Sequence, residues 1–289
     1  MELFSVGFLL SAIRAATPLV FCALAVLLAE RSGVLHIGVE GSMLIGALTA
    51  IVATSVSGSA LVGIIITLVI GALIGLFLAG LTVYLPTPQV VVGIAFNLVT
   101  VGATSYVFRL TGGLARTTTP AIPTWFLGLS PFSIFAVILT ALMWWFLSKT
   151  GAGLKLRATG ENANAANTAG VDVIKTRARA LIVATMLSSL GGAALTIGWV
   201  RVFTDNITQG RGFIALAAVY FAKWNPPLAL FACLIFGAGE ALAFRSQAVG
   251  AGISSYYFFM LPYVLTLVAV GLTGRAKGPA DCGKIYIRR

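Results

Sequence analysis

Side chains that could act as nucleophiles, acid–base pairs or metal ligands are few and scattered in this chain. It has one histidine, His36, and three cysteines, Cys22, Cys233 and Cys282, at spacings that no metal site uses. No paired carboxylates or histidines stand inside an apolar segment, as a membrane enzyme would require, and nothing matches the phosphate-binding pattern G-x-x-x-x-G-K-S/T. We therefore expect a chain that is not an enzyme, with no catalytic residue, metal or cofactor.

Two charged side chains lie within apolar segments, where an unpaired charge costs several kcal/mol. Arg14 lies in the segment 5–28 and Glu240 lies in the segment 227–244. Such residues are candidates for a transport pathway. The alternative is structural: Glu240 is close enough to Arg245 for an ion pair, and long side chains can reach the membrane surface.

The composition identifies the class of protein. Of the 289 residues, 59% are hydrophobic and only 9% are charged, whereas a soluble domain has about 25% charged residues. Such a chain has too few polar residues to cover a soluble core, so we expect an integral membrane protein. The formal net charge of +11 then indicates membrane topology rather than nucleic-acid binding.

Long continuous apolar runs predict helices, since a segment in lipid must satisfy its own backbone hydrogen bonds. Short links rich in Gly, Pro and Ser separate them, and no second domain is indicated; we expect one transmembrane domain over 1–289. The predicted segments are 5–28, 41–56, 60–84, 89–108, 131–148, 179–200, 212–222, 227–244 and 256–274. The fold class is therefore all-α, with about nine transmembrane or half-membrane helices.

The distribution of Lys and Arg predicts the orientation. Basic residues concentrate in the loop 149–178, which we call the polar segment, and in the tail 275–289. Both should be cytoplasmic, and an even number of segments between them is consistent with this. The same count places the N-terminus outside.

Two predicted segments, 41–56 and 212–221, are too short to cross a bilayer easily. Each follows a polar stretch that contains glycine, 29–40 or 201–211, and the two stretches should face opposite sides. This pattern is typical of transporters with inverted repeats; two re-entrant helices without symmetry are the alternative. Around the first short segment we expect an ion pair that holds the fold, formed among Glu30, Arg31 and Glu40.

The polar segment contains the pattern of a short helix. Thr159 could cap its start, with Glu161 in the first turn, and Gly170 could end it in the left-handed conformation. Alanines at 163, 166 and 169 share one face, so a partner could approach closely. A solvated loop that carries only positive-inside charge is the alternative.

Three stretches resemble the permease subunits of ATP-binding-cassette (ABC) importers, in the branch that serves simple sugars and nucleosides and is related to branched-chain amino acid and ribose permeases. "GENANAANTAGV" (160–171) resembles that family's coupling loop, "LAERSGVLHIGVEGSMLIGA" (28–47) its early segment and "GRGFIALAAVYFAKWNP" (210–226) its late segment. The resemblance implies a fold like that of vitamin B12 and ribose importers, with inverted repeats. It implies ATPase contacts at Gly160, Glu161, Asn162, Ala165, Ala166, Ala169 and Gly170.

The resemblance also implies a division of labour in a bacterial inner membrane. Two cytoplasmic ATPase subunits would drive transport, a second and different permease subunit would complete the pore, and an extracytoplasmic binding protein would deliver the substrate. The substrate would be a nucleoside, nucleobase or simple sugar, and no nucleic acid is involved.

Neutral polar groups suit such an uncharged substrate. Asn97 lies in the middle of 89–108, with Thr100 at helical spacing and Phe96 able to stack on a ring; a hydrogen bond between helices is the alternative for Asn97. An ion-coupled secondary transporter is the competing function, because that class also uses broken helices. It would need an acidic site deep in the membrane, for which only Glu240 qualifies.

Overall fold

A computed structural model describes residues 6–85, 87–111, 129–249, 260, 264 and 278–287, with the side chains of 246–249 left out. Helices account for most of these residues, as the apolar runs predict. They are α1 (Val6–Arg31), α2 (Val39–Ser57), α3 (Ala60–Ala79), α4 (Gln89–Leu110), α5 (Pro131–Lys149), α6 (Gly151–Glu161), α7 (Ala163–Thr168), α8 (Val173–Leu195), α9 (Arg211–Phe221) and α10 (Pro226–Val249). Single π-helical turns, Gly80–Tyr84 and Thr196–Val200, extend α3 and α8.

Seven helices of the described residues are long and apolar enough to cross a membrane. They are α1, α2, α3 with its π-turn, α4, α5, α8 with its π-turn, and α10 up to Arg245. The prediction that 41–56 is too short is wrong, because α2 begins two residues earlier, at Val39, and ends at Ser57, so it has 19 residues. The short helix at 212–222 is confirmed: α9 has 11 residues, or about 16 Å. The predicted segment 256–274 lies outside the described residues.

The helices α1 and α8 form the centre of the bundle and are buried along most of their length. They pack against each other, α8 also packs against α2 and α3, and α1 packs against α9 and α10. Glycines allow these backbones to touch: a methyl group at Gly46 of α2 would overlap the Ser189 carbonyl, and one at Gly192 of α8 would overlap the Met43 carbonyl. Small residues at helix contacts are the usual means of tight packing in membranes.

The first helix of each set of three thus packs against the second and third helices of the other set. This reciprocal packing favours the prediction of two related halves, in which α1–α3 correspond to α8–α10. The sense of each half relative to the membrane stays a prediction.

Candidate functional site

The polar segment folds into two helices that meet at a sharp corner. The chain is already helical when it reaches Thr159, because Thr150 caps α6 by accepting a hydrogen bond from the Gly153 amide. The predicted cap at Thr159 is therefore wrong. Its hydroxyl instead donates to the carbonyls of Leu156, at 2.7 Å, and Ser32, at 3.0 Å.

Two acceptors cap the start of α7. Asn162 is extended, and its side-chain oxygen accepts the Ala165 amide at 3.0 Å. The Asp281 carboxylate, from the tail, accepts the Ala163 amide at 2.8 Å. Burial opposes ionisation of Asp281, but hydrogen bonds from Ala163 and Lys284 and nearby positive charges outweigh it, so the pKa of Asp281 lies below its ordinary value. The carboxylate is thus charged at neutral pH and suits a helix N-terminus.

The predicted stop at Gly170 is confirmed. Gly170 has φ +83°, its amide donates to the Asn167 carbonyl and the Val171 amide donates to the Ala166 carbonyl, both at 3.0 Å. These two bonds form a Schellman motif, which satisfies the last carbonyls of α7. A six-residue helix has little stability of its own, so these contacts at its two ends fix where it lies.

Two of the three alanines of the predicted face, Ala163 and Ala166, point into the protein, whereas Ala169 is exposed. Ala163 and Ala166 are buried in a small apolar cluster with Val173, and Tyr286 of the tail packs against it. The exposed residues of the corner are Glu161, Asn162, Asn164, Ala165, Thr168, Ala169 and Gly170. Of the predicted ATPase contacts, Gly160 and Ala166 are therefore buried and the other five are exposed.

Arg177 holds the polar segment to the rest of the molecule. The side chain is 3% exposed and donates to three carbonyls: Ser32 at 3.2 Å, Thr159 at 3.2 Å and Lys284 at 3.0 Å. Gly33, with φ +96°, lies directly beneath it, and a side chain there would overlap the guanidinium. In the sequence Arg177 is one of several basic residues of the polar segment, and no local pattern shows that three separated carbonyls meet there.

The tail completes this junction. The Asp281 amide donates to the Gly160 carbonyl at 2.8 Å, and the Gly283 amide donates to the Gly33 carbonyl at 3.1 Å. A side chain at Gly160 would overlap the Arg31 carbonyl. The polar segment, the turn after α1 and the tail therefore lie at one end of the bundle and form a single packed unit.

The end of α1 and the start of α2 form hydrogen bonds with both ends of α9. Glu30 accepts the indole N–H of Trp224 at 2.6 Å, and the Arg31 guanidinium donates to the Trp224 carbonyl at 3.1 Å, so both hold the residues just after α9. Glu40 accepts the amides of Gly210 at 2.9 Å and Gly212 at 2.7 Å, at the start of α9.

The expected ion pair among Glu30, Arg31 and Glu40 is absent from the described residues. Their charged groups bind the indole and backbone of α9 and its flanks instead, because these donors and acceptors lie closer than the opposite charges do.

The charge within α10 is paired, although not with the expected partner. Glu240 forms a hydrogen-bonded ion pair with Arg211, the first residue of α9, and Arg245 lies over the Phe8 ring at 5.9 Å. Arg14 lies in α1 and is half-buried. His36 is buried and within 3.2 Å of the Ser188 hydroxyl, and burial lowers its pKa to about 4, so the imidazole is neutral.

The candidate pathway residues of α4 are engaged within the protein. The Asn97 amide group accepts the Gly41 amide at 2.9 Å and donates to the Ile37 carbonyl at 3.0 Å. Thr100 is buried, and Phe96 lies against Gly38 and Gly41. These contacts favour the alternative in which Asn97 joins two helices by fixing α4 to the start of α2.

Within the described residues, seven apolar spans, a half-length helix held at both ends and a structured polar corner define a polytopic membrane protein. The described residues contain no group of His, Cys, Asp and Glu side chains that could hold a metal ion.

The chain belongs to the family described as branched-chain amino acid transport system / permease component, whose model matches residues 8–270. It is 34% identical to the guanosine ABC transporter permease protein NupQ of Bacillus subtilis, over 94% of both chains. It is 31% identical to the nucleoside ABC transporter permease protein NupC of Lactococcus lactis, also over 94% of both.

A third relative is the putative glucose ABC transporter permease protein TsgC13 of Haloferax volcanii, 32% identical over 86% of this chain and 80% of that one. No solved structure matches the chain. Family membership makes the chain a transport component rather than an enzyme, embedded in a membrane and working with an ATPase and a substrate-binding protein.

Proposed function

We propose that this chain is the pore-forming permease of an ABC importer that moves nucleosides, nucleobases or simple sugars. The observation that carries the proposal is the corner at α7, a six-residue helix fixed by two caps, a Schellman motif and the tail. Its outer face consists of small and polar side chains, to which a second protein can fit closely. The names of the relatives support the class of substrate.

We infer that the ATPase binds the exposed residues of this corner, and that Gly160 and Ala166 support the corner from within. Two ATPase subunits, a second and different permease and an extracytoplasmic binding protein would complete the importer. The contacts between the tail and the polar segment support the predicted topology, because they require both to lie on one side. In that topology this side is cytoplasmic, the N-terminus is outside, and the membrane is the bacterial inner membrane.

The contacts of the corner suggest how ATP binding would act on the pore. A displacement of α7 is passed through Gly160 and Arg177 to the turn at Ser32 and Gly33, without any flexible linker between them. Arg31, the last residue of α1, directly precedes that turn and donates to the Trp224 carbonyl just after α9. The half-length helix α9 is therefore the element that we expect to move with the ATPase.

The competing function, ion-coupled transport, loses its main support. It relied on Glu240 as a site for the coupling ion, and Glu240 is paired with Arg211.

A substitution on the outer face of α7 tests the proposal. Ala165→Trp should abolish ATP-driven uptake of radiolabelled guanosine in vesicles that contain the whole complex, because the bulky ring blocks the close approach of the ATPase. Copurification of the ATPase should fall in parallel, while insertion and thermal stability stay unchanged. The matched control is Ala103→Trp, at an exposed alanine of α4.

Uptake by Ala165→Trp at the rate of the native chain would overturn the assignment of the dock. Guanosine uptake by the native chain without ATP would overturn the importer itself.

A further inference from the structure

A cleft of about 510 Å³ lies between α5, α6 and α8, close to the end of the bundle that carries the polar corner. Each helix contributes one face at helical spacing, and the side chain of Leu28 from α1 adds to the lining. The lining side chains from α5 are Leu139, Leu142, Met143 and Phe146; those from α8 include Ala180 and Val183.

The walls of the cleft face an apolar environment. The residues of α5 and α8 that form them belong to helices long and apolar enough to cross a membrane. Leu142 and Val183 remain 52% and 45% exposed, so the cleft is open on its outer side. An occupant at this depth must therefore present hydrocarbon.

The rim of the cleft is cationic. Lys155 of α6 and Arg179 of α8 both line it and are both exposed. In the described part of the chain the three ion pairs are Lys175–Asp172, Arg211–Glu240 and Lys284–Asp281, so no carboxylate there neutralises Lys155 or Arg179. The occupant must combine apolar chains with a negative head.

We propose that this cleft is a binding site for an anionic phospholipid. The acyl chains would lie along α5 and α8, and the phosphate would lie between Lys155 and Arg179. Basic pockets between membrane helices on the cytoplasmic side are suited to such headgroups. The site follows from the cleft itself and does not depend on the substrate of the transporter.

The test compares lipid retention by the purified complex in lipid nanodiscs of phosphatidylcholine with added phosphatidylglycerol. Native mass spectrometry after gentle extraction counts the lipids that stay bound. The test variant is Lys155→Gln with Arg179→Gln. The control is Lys149→Gln with Lys223→Gln, two exposed lysines outside the cleft that take part in none of the ion pairs above, so it removes the same charge.

The native complex should retain phosphatidylglycerol in preference to phosphatidylcholine, and added salt should weaken this retention. Each basic group near a membrane surface raises the affinity for an anionic lipid by about a factor of five. The test variant lacks two such groups and should therefore bind phosphatidylglycerol about 30-fold more weakly. The control should bind like the native chain, and thermal unfolding should be the same for all three.

Equal retention of the two lipids by the native complex would overturn the site, as would unchanged retention of phosphatidylglycerol by the test variant. Anionic lipid on the isolated chain but not on the complex would mean that a protein partner covers the cleft, which also overturns it.

Discussion

The two polar stretches that precede α2 and α9 differ in how many of their polar side chains are buried. In residues 29–40 the side chains of Glu30, Ser32, His36 and Glu40 are buried and hydrogen-bonded. In residues 201–211 the polar side chains of Thr204, Asp205 and Asn206 are exposed. The first stretch therefore holds other elements through hydrogen bonds, whereas the second presents polar groups at the surface.

The backbone conformations differ in the same way. Only Gly33 has a positive φ in the first stretch, and glycine adopts it without strain. In the second stretch Arg201, Asn206 and Gln209 all have positive φ, at a cost of about 1–2 kcal/mol for each ordinary side chain. Charge and glycine content alone do not distinguish a structural stretch from an exposed one; the partners of each polar atom do.

The largest loss of stability should follow the removal of the Glu40 carboxylate. Glu40→Ala leaves the amides of Gly210 and Gly212 without an acceptor, and each buried amide left unpaired costs about 1–3 kcal/mol. We expect the free energy of unfolding, measured by denaturation in mixed micelles, to fall by about 2–6 kcal/mol. Asp205→Ala removes the same charge from the exposed stretch and should change it by less than about 0.5 kcal/mol. Equal effects at the two positions would contradict the distinction.

A second prediction concerns the hydrogen bond between Glu30, at the start of the same stretch, and Trp224. Trp224→Phe removes the indole N–H and leaves a buried carboxylate without its donor, so unfolding should become easier by about 1.5–3 kcal/mol. In a Glu30→Met background the same exchange should cost much less, since no carboxylate remains. Additive effects of the two substitutions would show that the contact contributes nothing. Trp199→Phe is the control for the loss of ring size.

The smallest effect is expected in the exposed stretch. Asn206 has φ +53°, which Asn tolerates better than most residues. Asn206→Ala should cost about 1 kcal/mol through backbone strain, and Asn206→Gly should be close to neutral. Denaturation of the two variants, side by side, measures the difference. A large loss for Asn206→Gly would mean that its side chain is structural, as in the first stretch.

Much of the fold can be predicted from apolar runs, since a membrane helix satisfies its backbone internally. The eight predicted segments that fall on described residues all correspond to helices, and the short α9 and the stop at Gly170 are correct. The predicted start of α2 is wrong because Val39 and Glu40 belong to a polar stretch that contains glycine, which is typical of a loop. Their place inside a helix depends on Asn97 and on the start of α9, which are far away in sequence.

The sequence predicts a short helix in the polar segment, but it does not show which face of that helix is buried. Spacing places Ala163 and Ala166 on one face but cannot tell whether that face binds a partner or Tyr286. Arg177 and Asp281 were missed as structural residues, because their partners belong to separate parts of the chain. Charges near membranes are easily assigned to topology, and only the geometry shows that these two hold the corner together.

The cap that Asp281 places on α7 has a consequence for biosynthesis. Asp281 follows the amide that it caps by 118 residues, and ribosomes add about 5–20 residues per second. Roughly 6–24 s therefore pass between the synthesis of the two partners. Throughout that interval Ala163 and Arg177 lack their contacts with Asp281 and Lys284, so the surface that we propose for the ATPase is incomplete until those residues have been made. In a chain that ends before Asp281, α7 lacks one of its two N-terminal caps.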